Sequence, residues 1–325
     1  MHINGRPTNP GSRAEGLLLN ARMVQAMFDD ANATTARWWA YSDTGVWNAT
    51  RNVDEFVAAV PSYSQHGLNA VTVGMQGGSA CEPDRSSSKV QCDDSHDARF
   101  WPSVSAFRAD GSLESAWIGR LEKILAATDS AGMVVILNLF YYSQIVRLRD
   151  SVAIRTAIKN VVTFLLRTGY RNVIIDLANE YSCKPYPDFL KADPLVGETV
   201  RWVRSLSNNT IPVGTNPCGM PTPSVLAASD IVLTEPPATS GDALQSFYAS
   251  IRNNSDWKAH RVPIEAIECG TDLLALELSL QSHCGWGVSD VAGFQSPPVD
   301  WLINSSSTKV RVFEAIKAAT KPVQR

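Results

Sequence analysis

Met133-Val134-Val135-Ile136-Leu137-Asn138-Leu139-Phe140 is the stretch that decides the fold. Apart from Asn138, every residue in it is apolar. A strand with one wet face alternates apolar and polar residues, so an unbroken run of this length needs cover on both faces. Parallel strands sandwiched by helices have that cover. Upstream, Leu68-Asn69-Ala70-Val71-Thr72-Val73-Gly74-Met75 reads the same way and is closed by Gly77-Gly78. Downstream, Asn172 to Leu177, Ile211 to Thr215, Ile231 to Thr234, Val262 to Ile267 and Trp286 to Val291 continue the series. Gly16-Leu17-Leu18-Leu19-Asn20 supplies an earlier run and completes a set of eight.

Helical patterns lie between these runs. In Ser151 to Gly169, residues Val152, Ile154, Ile158, Val161, Val162 and Leu165 form an apolar stripe at helical spacing, and Gly169 is placed to end it. Leu113 to Gly132, Gly197 to Asn208, Asp242 to Asn254, Leu273 to Cys284 and Thr308 to Thr320 behave similarly, and Pro223 to Ser229 is a short version. Strand and helix in alternation, eight times, predict an α/β fold of the (β/α)8 TIM-barrel type. An open doubly wound sheet is the alternative, but no G-x-G-x-x-G turn follows the first strand. The length of 325 residues would allow two domains. With no linker, low-complexity block or repeat to divide it, the expectation is one barrel over residues 1–325. Two connections are long, residues 21–51 after the first strand and 77–112 after the second. Structureless segments of that size in a compact domain are usually functional.

Composition excludes several classes. The chain is 44% hydrophobic, and no apolar run is long enough for a membrane span. With 29 basic and 32 acidic residues, net charge −3, it lacks the footprint of a nucleic-acid binder. An uncharged substrate fits better, and no membrane partner is expected.

Barrel enzymes work at the C-terminal ends of their strands. The polar residues there are Asn20 with Arg22, Gln76, Asn138, Asn179 with Glu180, Asn216, Glu235, Glu268, and Ser289 or Asp290. No histidine pair, strand-end lysine or G-x-S-x-G is among them. Metal-dependent hydrolysis, Schiff-base chemistry and a nucleophile-elbow serine are therefore not expected, and neither is a metal or other cofactor. What remains is a pair of carboxylates, Glu180 after the fourth strand and Glu268 after the seventh. Cleavage of a glycosidic bond needs such a pair: one protonated, to donate to the leaving oxygen, and one ionised, to attack the anomeric carbon or activate water.

Here the sequence resembles a known family. Asn172-Val-Ile-Ile-Asp-Leu-Ala-Asn179-Glu180 is similar to the fourth strand of clan A glycoside hydrolases, the family 5 cellulase-like superfamily. Val262-Pro-Ile-Glu-Ala-Ile-Glu268-Cys-Gly270 resembles their seventh strand. The resemblance implies that Glu180 is the acid/base, that Asn179 holds the sugar 2-hydroxyl, that Glu268 is the nucleophile, and that Trp301 is a sugar platform. The Gly16 to Arg22 segment, Gln76-Gly77-Gly78 and the Gln295 to Trp301 tail resemble a little-characterised cellulase-like group within it. Two departures stand out: Tyr181 replaces the usual proline, and the sixth strand ends Thr234-Glu235-Pro236-Pro237 without His-x-Tyr.

The other site expectations come from position. Asn20, Arg22, Gln76 and Asn138 suit hydrogen bonds to sugar hydroxyls, and Arg22 could also hold the nucleophile ionised. Glu235 could bind a hydroxyl or an amino group. Trp38, Trp39, Trp101 and Trp301 are candidates to stack on sugar faces, and Tyr141, Tyr142 and Tyr181 to line the cleft. Asp176 reads as structural. Strand alternation puts Glu265 against the helices if Ala266 and Glu268 face inward. The alternatives left open are a non-catalytic carbohydrate-binding barrel and acid/base chemistry on a non-sugar substrate.

Six cysteines suggest three local disulfides, Cys81 to Cys92, Cys183 to Cys218 and Cys269 to Cys284, with buried free thiols as the alternative. N-x-S/T sequons at Asn32, Asn48, Asn208, Asn253 and Asn304 point to a secreted, eukaryotic glycoprotein. Met1 to Pro7 carry no apolar signal core, so the mature form is expected here, as a monomer.

Overall fold

The computed structural model describes all residues except 4, 78–81, 84–89, 92–102, 143, 237–240, 290 and 324–325. Eight parallel strands form a nearly closed barrel: β1 Leu19–Arg22, β2 Ala70–Gly74, β3 Val134–Phe140, β4 Val173–Ala178, β5 Val213–Gly214, β6 Val232–Thr234, β7 Ile264–Ala266 and β8 Gly285–Val288. The ladder runs β6-β7-β8-β1-β2-β3-β4-β5. Between β5 and β6 the seam is held by Asp230 N donating to Val213 O at 2.9 Å and by bridges from Cys218 and Gly219 to Glu235.

The outer ring consists of α1 Ala49–Gln65, α2 Ser115–Ser130, α3 Ser151–Thr168, α4 Leu195–Leu206, α5 Pro223–Ala228, α6 Gly241–Asn253, α7 Leu273–Gln281 and α8 Ser307–Thr320. In α3 the Asp150 side chain caps the N-terminus by accepting from Ala153 N at 2.7 Å, and Gly169 takes the left-handed φ of 79° that stops the helix. Ile154, Ile158, Val161, Val162 and Leu165 are buried against the strands. Each contributes about 1.5–3 kcal/mol relative to exposure. Val152, counted in the same stripe, is 69% exposed, because it stands in the first turn before the helix meets the sheet. Helix α1 has no clear counterpart in the sequence pattern; Pro61 near its end and a polar start conceal it.

Strand alternation divides the interior into two levels. Leu18, Ala70, Val134, Ile136, Ile174, Ile231, Leu233 and Ile267 pack together as an apolar cluster inside the barrel. Above them the inward positions turn polar, with Asn20, Thr72, Asn138 and Asp176 all buried. Adjacent strands bring Asn138 level with Asp176 and Gly74 level with Asn138. Chain direction therefore leads from an oily floor to a hydrogen-bonded upper layer and then to the open mouth.

Two sequence expectations are corrected at this level. Glu265 faces into the barrel together with Ile267, and Ala266 faces the helices. Because β7 ends at Ala266, Glu268 is free of the alternation and reaches the mouth by its own turn. The second concerns Cys269 and Cys284, which are buried free thiols. Cys269 N bonds to Gly287 O, whereas Cys284 precedes Gly285, so the two stand about 10 Å apart along β8. A disulfide needs Cα atoms within about 7 Å. Cys81 and Cys92 lie outside the described residues.

Candidate active site

Asn179 and Glu180 directly follow β4. Glu180 adopts φ 53°, a left-handed conformation that a Cβ disfavours by roughly 1–2 kcal/mol. The turn is pinned on both sides, by Asn179 N donating to Phe140 O and Tyr181 N donating to Asn216 O. A disulfide between Cys183 and Cys218 ties the β4 loop to the β5 loop, as expected from sequence. Closing a loop of 35 residues in the unfolded chain contributes about 4 kcal/mol in the chain-entropy account. Cys218 Sγ lies 3.5 Å from Glu180 Oε1, and Lys184 Nζ lies 3.5 Å from Glu180 Oε2. Lys184 also sits 4.3 Å from the centre of the Tyr142 ring, which brings Tyr142 to the edge of this cluster.

Arg22, on the inward face of β1, joins the two sides of the mouth. Its Nη1 is 2.6 Å from Glu268 Oε1 and donates to Asn179 Oδ1 at 3.2 Å; its Nε donates to Gln295 Oε1 at 3.1 Å. Asn179 Nδ2 in turn donates to Glu180 Oε2 at 3.4 Å. The result is one continuous chain of contacts, Glu268 to Arg22 to Asn179 to Glu180. Burial opposes the charge on Arg22, but Glu268, with Tyr141, Glu235 and Asp176 behind it, outweighs burial and raises its pKa. The guanidinium is a fixed cation.

Below this row lies Asp176. Burial raises its pKa to about 6, against the pull of hydrogen bonds from Asn138 Nδ2 at 2.9 Å and Asn216 N at 3.0 Å. Both of these hydrogen bonds are to the barrel's own groups, and the first occupies Asn138. Beside Glu268 stands Glu235, which follows Leu233 on the inward face of β6. Burial first, then the adjacent Glu268, which hydrogen-bonds to it, and the charge of Glu180 push its pKa well above the usual carboxylate range.

The structure thus gathers Glu180, Glu268, Asn179, Arg22, Glu235 and Tyr142 at the mouth, with Asn138 one layer down. It places four other expected sugar contacts elsewhere. Asn20 is enclosed, accepting from Thr72 Oγ1 at 3.2 Å and reaching Ile267 O at 3.5 Å across the barrel wall. Gln76 spends its amide on the chain itself: Nε2 donates to Ser105 Oγ and Gln144 O, and Oε1 accepts from Tyr141 N. Trp39 is fully buried, with Nε1 on Asp30 and its ring edge-on to Phe28, in a small aromatic core that organises the loop after β1. Trp301 is 2% exposed, sandwiched between Phe56 and Phe294, with Nε1 donating to Asn52. Neither tryptophan offers a free face to a sugar. Tyr181 is likewise interior, bonded to Thr222. Trp101 lies outside the described residues.

Gln295 and Lys184 were not legible as site residues. Gln295 sits in an irregular loop after β8, and Lys184 acquires its place only through the fold of the disulfide-tied turn. Among the described residues, one cluster has the donor set of a metal site, Glu180 with Cys183 and Cys218, but its two sulfurs are bonded to each other.

No family model and no curated protein matches this sequence. Solved structures do match by shape. One is a Prevotella bryantii endo-β-mannanase/endo-β-glucanase, with TM-score 0.56 and 12% identity; the match covers 95% of this chain and spans about half (49%) of that protein. A mutant family 5 glycoside hydrolase from Prevotella bryantii B14, in complex with a xyloglucan tetradecasaccharide, gives TM-score 0.56 at 12% identity, over 97% of this chain and 99% of that one. A β-mannanase from the blue mussel Mytilus edulis gives 0.52 at 13%, over 95% and 94%. At such identities the likeness establishes the barrel fold.

Proposed function

We propose that the chain is a retaining glycoside hydrolase that cleaves a β-glycosidic bond in an oligo- or polysaccharide. Glu180 protonates the leaving oxygen while Glu268 attacks the anomeric carbon, giving a covalent glycosyl-enzyme. Glu180, now ionised, then takes a proton from the water that releases the sugar. The observation that carries this reading is the unbroken contact chain Glu268–Arg22–Asn179–Glu180 across the barrel mouth. Arg22 pairs with Glu268 as an anion, which a nucleophile requires, and Asn179 fixes Glu180 relative to it. Fold neighbours named as glucanases and mannanases support a neutral glycan as substrate.

In this reading residues 1–325 act as one catalytic unit and a monomer, with Tyr142 and Glu235 beside the sugar and no cofactor. The Cys183–Cys218 bridge supports an oxidising, extracellular setting. Asn48, Asn208, Asn253 and Asn304 are exposed and open to glycosylation. No helix among the described residues is long and apolar enough to cross a membrane. The test is hydrolysis of a panel of β-glucans, β-mannans, xyloglucan and aryl β-glycosides, with product stereochemistry followed by NMR. Release of the β-anomer first is expected; release of the α-anomer, or no hydrolysis of any member, would overturn the assignment.

A further inference from the structure

Glu235 and Glu268 both act on the guanidinium of Arg22, Glu180 joins them through Asn179, and the proposed mechanism uses only Glu180 and Glu268. Glu235 is rigidly presented. Its backbone bridges to Cys218 and Gly219, Thr234 Oγ1 donates to Gly219 O at 2.9 Å, and Pro236 follows. From that anchor its carboxyl reaches Glu268 at hydrogen-bond distance. Two carboxyl groups bond directly to each other only when one carries a proton, because both ionised would repel with nothing between them. The neighbouring cations are committed elsewhere: Arg22 lies against Glu268 and Asn179, and Lys184 against Glu180 and Tyr142.

We propose that Glu235 is a positioning residue which stays protonated and donates its O–H to the Glu268 carboxylate, holding it in place together with Arg22. This deepens the glycosidase reading and rests on Glu268 being its nucleophile. The groups facing Glu235 are Glu268 beyond β7, Glu180 beyond β4, Arg22 on β1 and the buried thiol of Cys269. Burial and the two glutamates favour the neutral form, and Arg22 opposes it. The pair then carries one negative charge, shared over four oxygens and facing one guanidinium. No bond to substrate forms at Glu235.

The pH dependence of kcat and kcat/KM in E235Q and E235L tests this. Gln keeps an N–H donor of similar shape, so E235Q loses about three- to tenfold in kcat and keeps the acid limb of kcat/KM in place. Leu removes the donor, so E235L loses about 10²-fold or more in kcat with little change in KM. Its acid limb moves upward by about one pH unit, because the anion beside it has lost a charge-assisted hydrogen bond. Equal losses in E235Q and E235L would overturn the proposal by showing that an ionised Glu235 is needed, and wild-type behaviour of E235L would overturn it by showing that nothing depends on the residue. Should E235L fail to fold, carboxyl NMR of the protein labelled at glutamate side-chain carbons decides. A protonated carboxyl persisting to about pH 8 and vanishing in E235Q supports the pair; its absence from wild type refutes it. That measurement needs no substrate, so it stands or falls separately from hydrolysis of the glycan panel.

Discussion

Glu265 and Glu268 stand three residues apart on one strand and its turn, yet they occupy opposite ends of the barrel interior. Glu268 opens to the mouth, 18% of its side chain exposed, with Arg22 at 2.6 Å. Glu265 is 1% exposed in the floor, and its Oε1 has no hydrogen-bond partner. It fits there because Gly285 has no side chain: a Cβ on Gly285 would lie 1.5 Å from Glu265 Oε2. Burial drives the pKa of Glu265 well above that of an ordinary glutamate and outweighs the attraction of the Met1 amino group. The same residue type is a paired anion at one end and a neutral acid at the other. Environment, rather than residue identity, assigns the role, and a sequence reveals environment only through the fold.

Substitutions can sharpen that contrast or break it. The largest effect belongs to the mouth: Glu268→Gly should lower turnover of an aryl glycoside by at least about 10⁴-fold. Added azide should then restore turnover as a glycosyl azide. Glu265→Gln in the same assay should stay within about twofold of wild type; a collapse there would erase the distinction between the two ends. Next comes Arg22→Met, which strands Glu268 beside Glu235 and removes a cation that faces Asp176. A loss of about 10²-fold in kcat/KM and of about 3–5 kcal/mol in stability is expected, the latter read by urea denaturation.

The smallest effect is at the floor and shows in its pH dependence. Glu265 ionises near pH 4.3 when unfolded but remains protonated to a much higher pH when folded. The unfolded state therefore binds fewer protons across that window, and wild-type stability falls as pH rises through it. Glu265→Gln has no proton to lose, so its advantage should be near zero at pH 4 and reach about 1–3 kcal/mol at pH 7. A difference independent of pH would show that Glu265 is ionised in the folded protein.

Much of the scaffold was legible because parallel strands buried on both faces write themselves as apolar runs. Val134 to Phe140 and Val173 to Ala178 lie almost where the runs predict. The strand between Pro212 and Thr215 shrinks to two ladder residues because its far edge is a seam rather than a full ladder. Glu180 and Glu268 were legible as candidates because strand ends can be read from those runs. The sugar platforms were not. Trp39 and Trp301 stand in loops, and loop position alone could not show that Phe28, Phe56 and Phe294 would fold over them. Glu265 failed for a different reason: alternation counted back from Glu268 assumes that the strand runs that far, and it stops at Ala266. The Cys183–Cys218 pairing succeeded where Cys269–Cys284 did not, because one pair joins adjacent strand ends and the other marks opposite ends of β8.

The left-handed backbone at Glu180 has a consequence for how this sequence would drift. At φ 53° glycine or asparagine would be more comfortable, so a library screened only for thermal tolerance should enrich those residues at position 180. A library screened for turnover should keep glutamate there whatever the backbone cost. Position 180 is thus where the two kinds of selection part company, and sequencing both survivor pools would reveal how strongly each one acts.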